Sequence, residues 1–184
     1  RKVAEGTKFA TWYGELYFEL HRGTYTTQAN NKRNNRKSEF LLRELEFLAT
    51  LASLSDTKGE YKYPKKEIDD MWEGVLLCQF HDCLPGSSIE MCYDDSDELY
   101  AGIFKTGQKA RERALEVLGL GGTDAKGLVA INTLPWYRSE IVKIPDAFAA
   151  SGGPQYTLVS GDTGVLQCQS LNSKHFRPVT VSDT

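Results

Sequence analysis

The chain has 184 residues, 40% of them hydrophobic and 26% charged, with a formal net charge of -3. That length and mix suit one ordinary domain, or a small domain with part of another, and are enough to bury a core. The acidic balance gives no reason to expect nucleic acid or an anionic membrane as a partner, and no apolar run approaches the roughly 18–20 residues of a membrane span.

In chain order, the opening residues Arg1 to Lys8 lack both an initiator Met and the apolar stretch of a signal peptide. They predict a processed chain or a piece of something longer. The segment from Gly14 to Gln28 then packs Glu15, Glu19, His21, Arg22, Thr24 and Tyr25 around Gly23. Aromatic faces beside planar polar groups suit a sugar pocket. An irregular lead-in to the first helix, turning at Gly23, is the other reading. The basic and amide-rich run Asn30 to Lys37 stands alone in an acidic chain, so it reads as the solvated start of that helix rather than as a nucleic-acid patch.

From Ser38 onward Leu41, Leu45, Leu48 and Ala52 mark a helical stripe, and Phe40, Phe47, Leu51 and Leu54 mark a second beside it. Two adjacent stripes predict a helix packed over a wide face. Ser55 to Gly59 breaks it, and Pro64 offers proline to the first turn of the next helix. Ile68, Met71, Trp72, Val75 and Leu76 give that helix one apolar face, and it is expected to carry His81 near its C-terminus and to stop at Pro85-Gly86. Gly74, nearly on the face of His81, predicts close approach of another segment.

Adjacent His81 and Asp82 offer one metal-ligand imidazole and one carboxylate at a helix end. A zinc site wants three or four protein ligands, so the pair is either an incomplete metal site or a structural His beside an acid. Ser87 and Glu90 have capping-box spacing for the next helix. Asp94 to Glu98 lacks the EF-hand pattern and reads as acidic residues complementing the dipole at that helix's N-terminus. The third helix follows from Leu99, Ile103, Gly107, Ala110, Ala114 and Leu118, with Gly119 closing it. Three helices on short connections predict a three-helix bundle.

Past Gly119 to Gly122 the period falls to two. The runs Leu128–Ile131, Ile141–Ile144, Tyr156–Val159, Val165–Cys168 and Val179–Val181 are short and separated by turn residues, which predicts the first strands of an antiparallel β-sandwich-like domain. The fold class is therefore α+β, with a helical part over residues 1–120 and an incomplete β domain over 121–184. Four cysteines, Cys78, Cys83, Cys92 and Cys168, lack framework spacing and a C-x-x-C pair, and are expected as reduced thiols.

Glu15 to Gln28, Trp72-Glu73 and Gln79 to Ser88, in this order, closely resemble α-mannosidases of glycoside hydrolase family 38. Ile131-Asn132-Thr133-Leu134-Pro135-Trp136 resembles the opening of that family's C-terminal β domain. Leu84-Pro85-Gly86 resembles the form of the cytosolic and vacuolar branch, and Phe80 stands where the Golgi and lysosomal branch usually has a second His. The resemblance implies a zinc-dependent, retaining exo-α-mannosidase acting on terminal α-D-mannose of oligosaccharides, by two-carboxylate chemistry with a metal that orients the sugar. It implies that His81 is a zinc ligand and that Asp82 contacts the zinc-bound sugar. Glu15, Arg22, Thr24 and Tyr25 would border the pocket. The nucleophile, the acid and the other ligands of Zn2+ would come from an N-terminal α/β catalytic domain, so the chain alone is expected to be inert. The resemblance also implies a cytoplasmic or vacuolar protein, and the acidic charge adds the expectation of no nucleic-acid or membrane partner. Wide helical faces would meet the catalytic domain or a second subunit, leaving a homo-oligomer of the parent open. A non-catalytic helical interaction module that kept the family's residues is the alternative reading.

Overall fold

The computed structural model describes residues 6–16, 19–121, 130–143, 156–165 and 167–170. A short 3-10 helix, Glu19–Tyr25, leads into three α-helices, α1 (Ala29–Ser55), α2 (Lys65–Cys78) and α3 (Glu90–Val117). Strands β1 (Ile131–Asn132), β2 (Arg138–Lys143), β3 (Tyr156–Gly161), β4 (Gly164–Val165) and β5 (Gln167–Ser170) follow. The architecture is α+β, a three-helix bundle followed by short antiparallel strands. The expected strand residues 128–129, 144 and 166, and the run Val179–Val181, lie outside the described residues.

The core sits where the three helices meet. Leu42, Leu45 and Ala49 of α1 pack with Ile68, Met71 and Val75 of α2 and with Tyr100, Ile103 and Ala110 of α3. Each fully buried Leu or Val contributes about 1.5–3 kcal/mol relative to exposure. Two glycines set the helix spacing. A Cβ on Gly107 of α3 would lie 2.7 Å from Leu41 Cδ2, and one on Gly74 of α2 would lie 3.2 Å from Ile103 Cδ1. The close approach expected at Gly74 is therefore made by α3. Polar ties flank the core: Trp72 Nε1 donates to Glu46 Oε1 at 2.9 Å, and Arg111 pairs with Glu44 at 3.1 Å.

The helices depart from the sequence reading in burial and at two of their ends. α1 begins at Ala29, so the Asn30 to Lys37 run starts the helix as expected, but it is not solvated throughout: Asn31 and Asn35, with Ser38, continue the buried face backwards from Leu42 at alternating spacings of four and three. The second stripe of α1 is mostly open, with Phe40 57% and Leu54 78% exposed, because α2 and α3 both pack on the first. α2 ends at Cys78, before His81: the Gln79 N–H still bonds the Val75 carbonyl, but the Phe80 N–H bonds the Leu77 carbonyl in an i→i-3 turn, and turns of mixed length follow. α3 begins at Glu90 without a side-chain cap, so the expected capping box does not form, and Ser87 donates to Asp82 instead. Asp94 to Glu98 consequently lies within α3, past its first turn. The end of α3 follows expectation. Gly119 is left-handed (φ 69), its N–H meets the Glu116 carbonyl, and the Leu120 N–H meets the Leu115 carbonyl, a Schellman closure.

The strands form two small antiparallel sheets, β1 with β4 and β2–β3–β5, with Ile131 opposite Val165 and Glu140 opposite Val159. Buried Asn132 organises this start: its Nδ2 donates to the Trp136 carbonyl at 2.7 Å, and its Oδ1 accepts the Leu134 N–H at 3.1 Å. Arg43 of α1 donates to the Thr133 carbonyl at 2.9 Å, tying this turn to the bundle.

Candidate functional site

The candidate residues lie on two connecting segments, 19–28 before α1 and 79–88 between α2 and α3. Both are built by short-range hydrogen bonds. In the first, Thr24 Oγ1 donates to the His21 carbonyl and Thr27 Oγ1 to the Gly23 carbonyl, each at 2.6 Å, and Arg22 pairs with Glu19 at 3.2 Å. Gln28 then takes a left-handed conformation (φ 52) that turns the chain into α1. Arg22, Thr24 and Tyr25 thus share one short 3-10 helix. Glu15 is placed by another device: it lies on the segment before that helix, where its backbone carbonyl accepts Trp12 Nε1 at 3.1 Å. Trp12 and Tyr13 are exposed nearby in sequence.

In the second segment, the N–H groups of Cys83 and Leu84 bond the Phe80 carbonyl, and the Ser87 N–H bonds the Asp82 carbonyl. These turns present His81 and Asp82 outward, with side chains 75% and 56% exposed and His81 Nε2 3.2 Å from Asp82 Oδ2. Ser87 Oγ donates to the other Asp82 oxygen at 3.0 Å, fixing the carboxylate on both sides. The Phe80 ring lies beside the imidazole, with centroids 4.4 Å apart. Below the loop, Tyr93 OH accepts the Ser88 N–H at 2.7 Å.

The fold packs the two segments against each other. Gly86 (φ +92) meets Thr27 so closely that a Cβ there would lie 2.9 Å from the Thr27 carbonyl oxygen. Lys32, on the first turn of α1, reaches across the junction. Its Nζ donates to the Thr27 carbonyl at 2.5 Å, the Leu84 carbonyl at 2.8 Å and the Pro85 carbonyl at 3.2 Å. Desolvation by burial pushes this ammonium below its ordinary value. Asn31 Nδ2 donates to the Cys83 carbonyl at 3.3 Å, and Gln79 Nε2 donates to Asn35 and Glu39, each at 3.0 Å.

Sequence reasoning missed these supporting residues by treating the run that contains Lys32 as solvated. The available signal was spacing: Asn31, Asn35 and Ser38 fall in phase with Leu42, Leu45 and Ala49.

A neutral imidazole nitrogen and a carboxylate are suitable zinc donors, so His81 and Asp82 fit part of a metal site. Among the described residues, no group of three or more His, Cys, Asp or Glu side chains gathers into a metal-binding cluster. Nor is any described helix long and apolar enough to cross a membrane.

The family described as the alpha mannosidase middle domain matches residues 19–118, which hold both segments and all three helices. The chain belongs to that family. Alpha-mannosidase of Saccharomyces cerevisiae is 35% identical over 182 residues, covering 90% of this chain and 16% of the relative. Alpha-mannosidase 2C1 of Mus musculus is 39% identical over 138 residues, 75% of this chain and 13% of the relative. Alpha-mannosidase G of Dictyostelium discoideum is 53% identical over 89 residues, 48% of this chain and 8% of the relative. This middle-domain chain therefore spans less than a fifth of the length of these curated relatives. A crystal structure of a glycosyl hydrolase family 38 protein from Enterococcus faecalis shares the fold, with a TM-score of 0.58 at 21% identity over 78% of this chain and 17% of that one.

Proposed function

We propose that this chain is part of a zinc-dependent, retaining exo-α-mannosidase that removes terminal α-D-mannose from oligosaccharides. It would supply one metal ligand and a set of sugar contacts to a site completed elsewhere on the polypeptide. The reading rests on the junction of segments 19–28 and 79–88, which leaves the His81 imidazole and Asp82 carboxylate side by side and open. Membership of the middle-domain family and the naming of its relatives as alpha-mannosidases support it.

In this role His81 would donate a ring nitrogen to zinc. Asp82 would accept hydrogen bonds from sugar hydroxyls, its orientation held by Ser87. Glu15, Arg22, Thr24 and Tyr25 would border the same pocket from the segment before α1. The metal, when bound, would supply charge that orients the sugar hydroxyls. A preceding α/β domain would contribute the nucleophile, the proton donor and the remaining ligands, and residues 121–184 would begin a further β domain. The intact protein would work in the cytoplasm or vacuole.

The test is His81→Ala in the intact protein, with zinc measured by elemental mass spectrometry and turnover measured on an aryl α-mannoside. Both are expected to collapse. Unchanged turnover would sink the proposal.

A further inference from the structure

We propose that Lys32 is a positioning residue for the sugar site: its ammonium holds segments 19–28 and 79–88 in one register, so that the groups on both reach the substrate together. This rests on the function proposed above. The ammonium has three N–H donors and meets three carbonyl acceptors, Thr27 on one segment and Leu84 and Pro85 on the other. No further acceptor is needed to satisfy it. The residues it binds are two or three positions away from the candidates on each side: Thr27 follows Tyr25, and Leu84 follows Asp82.

Its neighbours narrow the role. The segments touch directly at Gly86 and Thr27, a contact of shape that resists compression but does not resist separation. Lys32 supplies the attraction across that seam. Among the described residues the Asn31 side chain, one residue earlier on α1, donates to Cys83, and the Gln79 side chain donates to Asn35 and Glu39 of α1, and neither set of bonds joins the two segments. Truncating the side chain would remove the one donor group that the three carbonyls share across the seam, which disfavours the closed junction. Lys32 touches no reacting group. It acts through the backbone on which His81, Asp82, Arg22, Thr24 and Tyr25 are carried.

The experiment compares Lys32→Ala, Lys32→Arg and His81→Ala in the intact protein, with unmodified protein as reference. Supporting groups behind metal ligands typically cost about 10–100-fold in metal affinity or activity when removed. Lys32→Ala is expected to lower kcat/KM on an aryl α-mannoside by about that factor, and Lys32→Arg to recover part of the loss by restoring several donors.

Hydrogen exchange supplies a readout independent of turnover. In Lys32→Ala the amides of Gly86 and Ser87 should exchange faster, while α3 amides around Ile103 to Ala110 keep their protection. Ethylammonium added at millimolar levels should slow that exchange again by occupying the carbonyl cradle. Unchanged exchange at Gly86 and Ser87 overturns the inference, and so does uniform loss of protection including α3, since Lys32 would then support the whole bundle. If His81→Ala leaves turnover intact, the proposed function fails whatever Lys32 does. If His81→Ala abolishes turnover and Lys32→Ala leaves both turnover and exchange unchanged, only the positioning role fails.

Discussion

Gly86 and Thr27 occupy each other's space: the glycine's missing Cβ position lies 2.8 Å from Thr27 Cγ2 and 2.9 Å from the Thr27 carbonyl oxygen. Part of that conflict is with backbone, which cannot rotate aside. Gly86 is also left-handed at φ +92, where a side chain is strained whatever the space. Gly86→Ala should therefore destabilise the chain by about 1–3 kcal/mol, the range for strained backbone and overpacking. Urea unfolding followed by far-UV circular dichroism measures it. Trimming Thr27 to Ala in the same chain should recover only part, because the carbonyl conflict remains. A Gly86→Ala protein as stable as the parent would mean that the two segments do not pack as described.

A second glycine carries a prediction for the bundle. Gly107 lies at the crossing of α3 with α1 and α2, where an added Cβ would fall 2.7 Å from Leu41 Cδ2 and 3.4 Å from Met71 Sδ. The neighbours are side chains, so the core can shift, at a cost of about 1–3 kcal/mol for overpacking. Alanine gains back up to about 1 kcal/mol through its better helix propensity. Gly107→Ala should thus be destabilising on balance, whereas Gly102→Ala on the same helix, with nothing within 4 Å of its added Cβ, should stabilise. Opposite signs in paired urea titrations are the expected outcome. Equal effects at both positions would contradict the packing.

The contrast between the two glycines shows what was legible in the sequence. Leu41, Leu45, Leu48 and Ala52, then Ile68, Met71 and Val75, announce two buried helical faces because burial in a bundle imposes a 3.6 period that hydrophobicity records. Gly107 falls in the periodic series of α3, yet no period distinguishes it from Gly102, since what matters is the distance to Leu41. Phe40 and Leu54 misled for a related reason: they carry the periodic signal but face neither α2 nor α3. At the candidate site, adjacency alone brought His81 and Asp82 into view. The Lys32 clamp was hidden because its partners are carbonyl oxygens, which every residue has.

Asp56 ties down the turn after α1 and gives the fold an acid-sensitive point. Its Oδ2 accepts the Tyr61 N–H at 2.5 Å and its Oδ1 the Lys58 N–H at 3.0 Å. Hydrogen bonding from Tyr61 is the main cause that holds the carboxyl below its ordinary 3.8. The folded state therefore binds the proton less readily than the unfolded state. The contribution is fully present above pH 3.8 and is lost as pH falls through the lower folded value. Asp56→Asn should be less stable at neutral pH, and its midpoint in urea should fall less steeply than the parent's as pH drops below 3.8. Parallel pH profiles for the two proteins would remove Asp56 from the account.

Cys78, Cys83 and Cys92 are free thiols, and the first two are buried, at 2% and 5% exposure, Cys78 at the end of α2 and Cys83 within the loop that carries His81. Burial pushes the Cys78 thiol up to about 11 and raises that of Cys83 as well. At pH 8, on the order of one Cys78 thiol in a thousand is ionised, and the thiolate is the reactive form. Cys92 is only half-buried on α3. In a Cys168→Ser background, iodoacetamide at pH 8 should modify Cys92 first, with Cys78 and Cys83 following together only as the bundle unfolds in urea. Peptide mass spectrometry across a urea series separates the sites. Cys83 is the informative one, since it belongs both to the core and to the 79–88 loop. If it labels as fast as Cys92 without denaturant, the loop opens on its own, and the bonds from Asn31 and Lys32 do not hold it closed.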